Sequence, residues 1–352
     1  MYRTISAFLF LTVVSGTVIV ISTENWFIIW VGLELSTLAL VPVLCSNFSP
    51  RNVEATIKYF LVQALSAALL LNGALIQAWL TGSWSVLEPL NNVSAICLSV
   101  ALAFKLGLAP CHFWFPDVLQ GLPFFQGLII ATWQKIAPLL ILFFFGQLVI
   151  SYLLIVASLI SILVGGWGGL NQTQVRKILA FSSIGNMGWL IITSAYSVKA
   201  AILMLIIYLV INTAIFLLFD FLNISTLGHL NTTSQLSPTS IALVILLMLS
   251  LGGLPPLTGF ILKFTSLYFL ISNGFIAFSS IMIVGSLLSL FFYLRISFNT
   301  GLILFPQHII SITSWRNNAI LSPLTTKVWL ISILVVLSTL SIPLTLPLYI
   351  IT

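Results

Sequence analysis

The sequence predicts an all-α, polytopic membrane protein of about eleven transmembrane helices, two of them broken, near residues 105–112 and 252–258. Three observations lead there. Of the 352 residues, 60% are hydrophobic and 5% charged, where soluble domains carry roughly 25% charged residues, so a soluble core could not hide the apolar surface. Apolar runs repeatedly reach the ~20 residues that cross a bilayer as helix. Alternation with a period of two is absent, which argues against a barrel.

The runs lie at about 3–22, 25–45, 56–80, 93–110, 122–146, 148–169, 178–194, 199–222, 238–272, 275–298 and 326–350. The first, behind Arg3, has no small-residue cleavage site and leads at once into a second span, so it reads as a membrane helix rather than a signal peptide. Residues 238–272 are too long for one straight helix. Their middle, LSLGGLPPLTGF, carries Gly252, Gly253, Pro255 and Pro256, which interrupt the hydrogen-bond ladder and make this one crossing by a broken helix. Charge placement supports that count. With single crossings throughout, Arg3, Arg51, Lys58, Arg176, Lys177, Arg295, Arg316 and Lys327 share one face and Lys199 alone takes the other. The N-terminus then lies on the positive face and the C-terminus opposite. Gly165 and Gly169 have the G-x-x-x-G spacing that lets helices approach closely. Trp26, Trp84 and Trp189, near span ends, read as interface anchors. The longest loop, about 299–325 with His308 and Arg316, is too small to fold alone, so 1–352 is expected to be a single transmembrane domain without a soluble one.

Four charges fall well inside apolar runs rather than near their ends; a charge at the helix centre costs about 2.5–3.5 kcal/mol on insertion scales and is kept where it is used. Glu34 stands about ten residues into its span, too deep for its short side chain to reach water. The ordinary reading is a protonated Glu bonded to a neighbouring helix; the functional one is an ion pair, with Lys105 as partner. Lys105 precedes Pro110 and a polar continuation, CHFWFPD, so it either snorkels toward the interface or faces an aqueous cavity at the break. Lys135 has apolar residues on both sides and Pro138 three residues on. Lys263 follows the second break. Broken helices each carrying a lysine are what a transporter of repeated halves would show. His112 is a secondary candidate, structural or proton-relaying. Asp117 and Asp220 near span ends read as caps or surface groups, and Glu24 and Glu88 as solvated loop residues.

Other chemistry is not encoded. Cys45, Cys97 and Cys111 are widely spaced, without a C-x-x-C pair, and read as apolar thiols rather than metal ligands, so no metal site is expected. A P-loop, a dinucleotide glycine pattern and a haem motif are lacking, so nucleotide, haem and iron–sulfur cluster are not expected on this chain. The net charge of +6 is spread thinly over loops, which suits an anionic lipid leaflet and not a nucleic acid.

Several stretches, in this order, carry a resemblance: WVGLEL at 30–35, EATIKYFL at 54–61, KLGLAPCHFWFPD at 105–117, TWQKIAP at 132–138, FSSIGNMGW at 181–189 and GLPPLTGFILK at 253–263. The chain resembles, over essentially its whole length, the antiporter-like membrane subunits of mitochondrial NADH:ubiquinone oxidoreductase (respiratory complex I), a family related to Mrp-type cation/proton antiporter subunits. About eleven spans is similar to the family's shortened animal form, which lacks three N-terminal helices. The resemblance implies proton translocation in the inner mitochondrial membrane, N-terminus toward the matrix and C-terminus toward the intermembrane space. It implies a central polar axis of Glu34, Lys105, Lys135 and Lys263, other membrane-arm subunits and lipids such as cardiolipin as partners, and NADH, FMN, iron–sulfur clusters and ubiquinone on partner subunits. Asn186 stands where many relatives have His; an amide cannot take up a proton at physiological pH, which puts a relay step there in doubt.

In the mechanism these residues allow, electron transfer elsewhere alters the electrostatic state of Glu34 and Lys105, and thereby proton occupancy at Lys135 and then Lys263. In general, desolvation disfavours an ammonium and a nearby carboxylate favours it. Each unit of pKa is worth about 1.36 kcal/mol, against ~2.3 kcal/mol per charge per 100 mV of membrane potential. The alternatives are a free-standing cation/proton antiporter, using the same lysines, and an inert scaffold, which leaves those lysines without a reason.

Overall fold

The computed structural model describes residues 3–46, 48–149, 152–230, 238–301 and 325–340. His308, Arg316 and the last part of the expected final span lie outside the described residues. Among the described residues the chain forms helices α1 (Arg3–Ser22), α2 (Trp26–Leu44), α3 (Pro50–Thr81), α4 (Asn92–Leu106), α5 (Trp114–Gly121), α6 (Phe124–Ala131) and α7 (Trp133–Val149). They continue with α8 (Tyr152–Leu170), α9 (Val175–Tyr196), α10 (Val198–Leu222), α11 (Pro238–Gly252), α12 (Thr258–Ser272), α13 (Ile276–Gly301) and α14 (Thr325–Leu340). Among the described residues, eight helical stretches are long and apolar enough to cross a membrane, α6 and α7 together making one of them. Of the expected spans, 93–110 is held by α4, 238–272 by α11 and α12, and 326–350 by α14, all shorter helices. The chain is therefore an all-helical, multi-pass membrane protein.

Both expected breaks are present, and they share one construction. Helix α4 ends at Gly107, whose φ of +71° is left-handed, and α11 ends at Gly253, φ +78°. In each the residue after the glycine donates back five positions, Leu108 N to Ala103 O at 3.0 Å and Leu254 N to Leu249 O at 3.4 Å. This is a Schellman ending, which needs a residue without a Cβ in the left-handed position and an apolar residue after it. The sequence at both sites is Gly-Leu-x-Pro, with Pro110 and Pro256 closing off continuation. A third break was not foreseen: Thr132 interrupts the fifth expected span between α6 and α7, its backbone at φ −116°, ψ −69°. No glycine marks it. Pro138, six residues on, lacks the N–H that the Gln134 carbonyl would accept, which loosens the first turn of α7.

The described residues pack as two compact units, one of residues 1–162 and 186–201, the other of 163–185 and 202–352. In the first, α1 lies along α2, α3 along α4 and α5, and α7 against α4. The Trp30 indole donates to the Ala67 carbonyl at 3.1 Å, fixing the face of α2 that carries Glu34 one turn on. Trp26 and Trp189 are buried there, as core residues rather than interface anchors. In the second unit, α11 packs on α12, α13 and α14. The close approach expected of Gly165 is realised, since a Cβ on it would stand 2.7 Å from the Gly185 backbone nitrogen.

Buried Gln77 ties the end of α3 to the loop before α4. Its Oε1 accepts from Asn91 N (3.1 Å) and Ser94 Oγ (2.8 Å), and its Nε2 donates to the Pro89 carbonyl (2.9 Å). Gln77→Leu is expected to cost about 1–3 kcal/mol, the range for a buried group left without its partner. Faster deuterium exchange confined to residues 82–91 would register it.

Candidate functional site

The first unit gathers its polar residues around one small cavity. Leu33 and Thr37 of α2, Tyr59 and Gln63 of α3, Lys105 of α4, and Trp114 and Phe115 of α5 line one part of it. Ile130 of α6 and Gln134, Lys135 and Pro138 of α7 complete the wall. Its volume is about 10 Å³, room for roughly one water. The breaks bring these residues together: α4 stops one residue after Lys105, and α7 starts two residues before Lys135.

Lys105 and Lys135, read from sequence as intramembrane charges, thus share one enclosure. They are 5% and 2% exposed, which answers the snorkelling alternative for Lys105. Lys105 sits in the last turn of α4, where the helix dipole favours a cation. Its Nζ has no hydrogen-bond partner among the described residues. The Lys135 Nζ stands over the Phe115 ring, 4.3 Å from the centroid, a cation–π placement that orients the amine in the cavity wall.

Glu34 is half-buried, with Oε2 buried and without a hydrogen-bond partner among the described residues. The direct ion pair expected with Lys105 is not formed: among the described residues, ion pairs within 4.0 Å join Lys58 to Glu54 (2.8 Å) and to Asp117 (3.3 Å). Asp117 is thus a surface partner linking α5 to α3, as expected of a residue near a span end. His112 is buried in the turn between α4 and α5, its ring 4.2 Å from that of Phe113, and it is not part of the cavity wall.

Lys263 belongs to the second unit. From α12 it reaches back across the break, its Nζ donating to the Gly252 carbonyl at 2.8 Å. That carbonyl is one of those a helix terminus leaves unsatisfied, so the amine caps α11. Outside the membrane segments, the Ser83 hydroxyl donates to Glu88 at 2.5 Å and holds its carboxyl below the ordinary range. Cys45, Cys97 and Cys111 are free and half-buried.

Tyr59, Gln63 and Gln134 were not singled out from sequence. A signal existed: Tyr59 and Gln63 are polar residues four apart in an apolar helix, hence on one face.

The family model described as NADH:quinone oxidoreductase/Mrp antiporter, TM, matches residues 23–289, and that described as NADH dehydrogenase subunit 2 C-terminus matches 290–349. NADH-ubiquinone oxidoreductase chain 2 of Strongylocentrotus purpuratus is 78% identical over 352 residues, covering 100% of both chains. A chain of respiratory complex I from Thermus thermophilus, solved with bound aureothin, superposes with a TM-score of 0.78 at 28% identity, covering 95% of this chain and 78% of that one. A chain of the Mrp complex from a Dietzia species superposes equally well, TM-score 0.78, at 21% identity over 84% of this chain and 60% of that one, a likeness of fold.

Proposed function

Because the chain belongs to the NADH-ubiquinone oxidoreductase chain 2 family, within the wider NADH:quinone oxidoreductase/Mrp antiporter membrane proteins, we propose that it is a proton-translocating membrane-arm subunit of mitochondrial NADH:ubiquinone oxidoreductase. One observation carries the pump reading: two buried amines, Lys105 and Lys135, line a single cavity with Tyr59, Gln63 and Gln134. Of the polar atoms around it, Lys105 Nζ, Tyr59 Oη and Gln134 Nε2 have no hydrogen-bond partner among the described residues. Buried polar groups are satisfied in native proteins, and where protein does not do it, water does. The cavity is therefore hydrated, and a proton passes between the two amines through water.

Glu34 sets the occupancy of Lys105 from a distance, since moving or screening a carboxylate changes how tightly an amine holds its proton. Electron transfer in partner subunits supplies that change. Proton release at Lys135 follows, and Lys263, capping α11 through the Gly252 carbonyl, takes part in a later step. Glu34, Lys105, Lys135 and Lys263 are the translocation residues of this reading, and His112, off the cavity wall, stays secondary.

The chain crosses the inner mitochondrial membrane about eleven times as an antiporter-like transmembrane domain, N-terminus toward the matrix and C-terminus toward the intermembrane space. Its partners are other membrane-arm subunits and lipids, cardiolipin among them. NADH, FMN, iron–sulfur clusters and ubiquinone are bound by those partners and not by this chain.

Gentle solubilisation of mitochondria tests the assignment. The chain is expected in a very large assembly with flavin and iron–sulfur absorbance. Migration alone, with cation/proton exchange retained, would replace it by the free antiporter.

A further inference from the structure

Beyond the lysines, the first unit holds a buried hydroxyl that the mechanism above does not use. Tyr59 is 1% exposed, lines the cavity shared by Lys105 and Lys135, and its Oη has no hydrogen-bond partner among the described residues. Its ring is held on one side by Trp114, centroids 6.1 Å apart, so the hydroxyl cannot swing freely out of the cavity wall. A phenol buried without a partner costs on the order of 2 kcal/mol or more, whereas Phe would fill the same place without that cost.

We propose that Tyr59 is a proton-relaying residue, the hydroxyl through which the Lys105 and Lys135 amines exchange a proton. The chemistry of the three groups divides the work. An ammonium donates only, so the two lysines exchange a proton when one of them is a neutral amine. A hydroxyl accepts on its oxygen lone pair while it gives up its own hydrogen. In the step, an N–H bond of one lysine breaks as its proton passes through water to Tyr59 Oη. The original O–H proton leaves to the neutral amine of the other lysine. Tyr59 ends as it began, and no net charge is left on it in a low-dielectric enclosure. Gln63, one turn along the same face of α3, places an amide in the same wall to hold the bridging water.

This rests on the pump reading, and the test separates the two. Tyr59→Phe removes one oxygen and keeps the ring against Trp114. In the intact complex in proteoliposomes, it is expected to assemble normally and to lower the proton-pumping rate by at least about tenfold, below the 10²–10⁴ of a fully committed relay because water still bridges. The solvent deuterium isotope effect on pumping should rise, which loss of packing alone would not produce. Tyr59→His, able both to donate and to accept, should recover part of the rate. Wild-type pumping in Tyr59→Phe beside a defective Lys135→Met overturns the relay alone. Wild-type pumping in both overturns the pump reading with it. Loss of assembly in Tyr59→Phe would assign the hydroxyl a structural bond and also overturn the relay.

Discussion

Lys135→Met is expected to leave the respiratory complex assembled and to cut proton movement through this subunit by about 10²-fold or more, the lower end of what a positioned proton-transferring side chain contributes. Structure should survive for specific reasons. Methionine is unbranched, close to lysine in helix propensity, and would place its sulfur near the Phe115 ring where the amine now stands 4.3 Å from the centroid. A sulfur–aromatic contact of about 0.3–1.5 kcal/mol replaces a cation–π contact of about 0.5–2 kcal/mol. The cost of burying an amine that is 2% exposed disappears at the same time. Stability should therefore change by less than about 1 kcal/mol, so the variant reports on protons rather than on folding. Protons per electron, read with a pH-sensitive dye in proteoliposomes driven by NADH, is the measurement. An unchanged ratio would remove Lys135 from the path and leave the scaffold reading of the cavity.

What the sequence disclosed and what it withheld follow from where each signal resides. Lys105 and Lys135 were legible because a charge inside an apolar run is a local anomaly, visible without any knowledge of neighbours. The breaks after Leu106 and Gly252 were legible because glycine and proline act on the backbone directly. The Gly-Leu-x-Pro construction they share was readable too, although the two halves show no other clear likeness. Tyr59, Gln63 and Gln134 were not legible as site residues. A tyrosine or glutamine in an apolar helix fits a core or an interface equally well, and only the packing of α3 against α4, with α7 on α4, brings them to one enclosure. Pairing failed for a related reason. Glu34 and Lys105 were matched as opposite charges, but how far apart their carboxylate and amine stand depends on how α2, α3 and α4 pack, which no spacing along the chain encodes. Helix lengths were misjudged where polar turns extend them: α3 begins at Pro50, after the Ser49 cap, six residues before its apolar run.

Gly259→Ala is expected to do the opposite of Lys135→Met, harming the fold first. Gly259 opens α12 just past the second break, and a Cβ added there would overlap the backbone carbonyl oxygen of Ser250 in α11. That obstacle is main chain, and Ser250 is fully buried, so it cannot give way as the tip of a flexible side chain would. The two halves of the broken helix would have to part. Overpacking of this kind costs typically 1–3 kcal/mol and more where backbone must move, so a loss near or above about 3 kcal/mol is expected. Parting the halves also draws Lys263, four residues on and on the same face, away from the Gly252 carbonyl it now meets at 2.8 Å. Assembled complex on native gels should fall sharply, and whatever assembles should pump less per electron. Gly228→Ala is the control: the nearest atom to its Cβ is Thr226 Oγ1 at 4.0 Å, and its effect should stay within about 0.5 kcal/mol. Normal assembly and pumping in Gly259→Ala would mean that the helix halves slide apart freely, and that the break does not hold Lys263 in place.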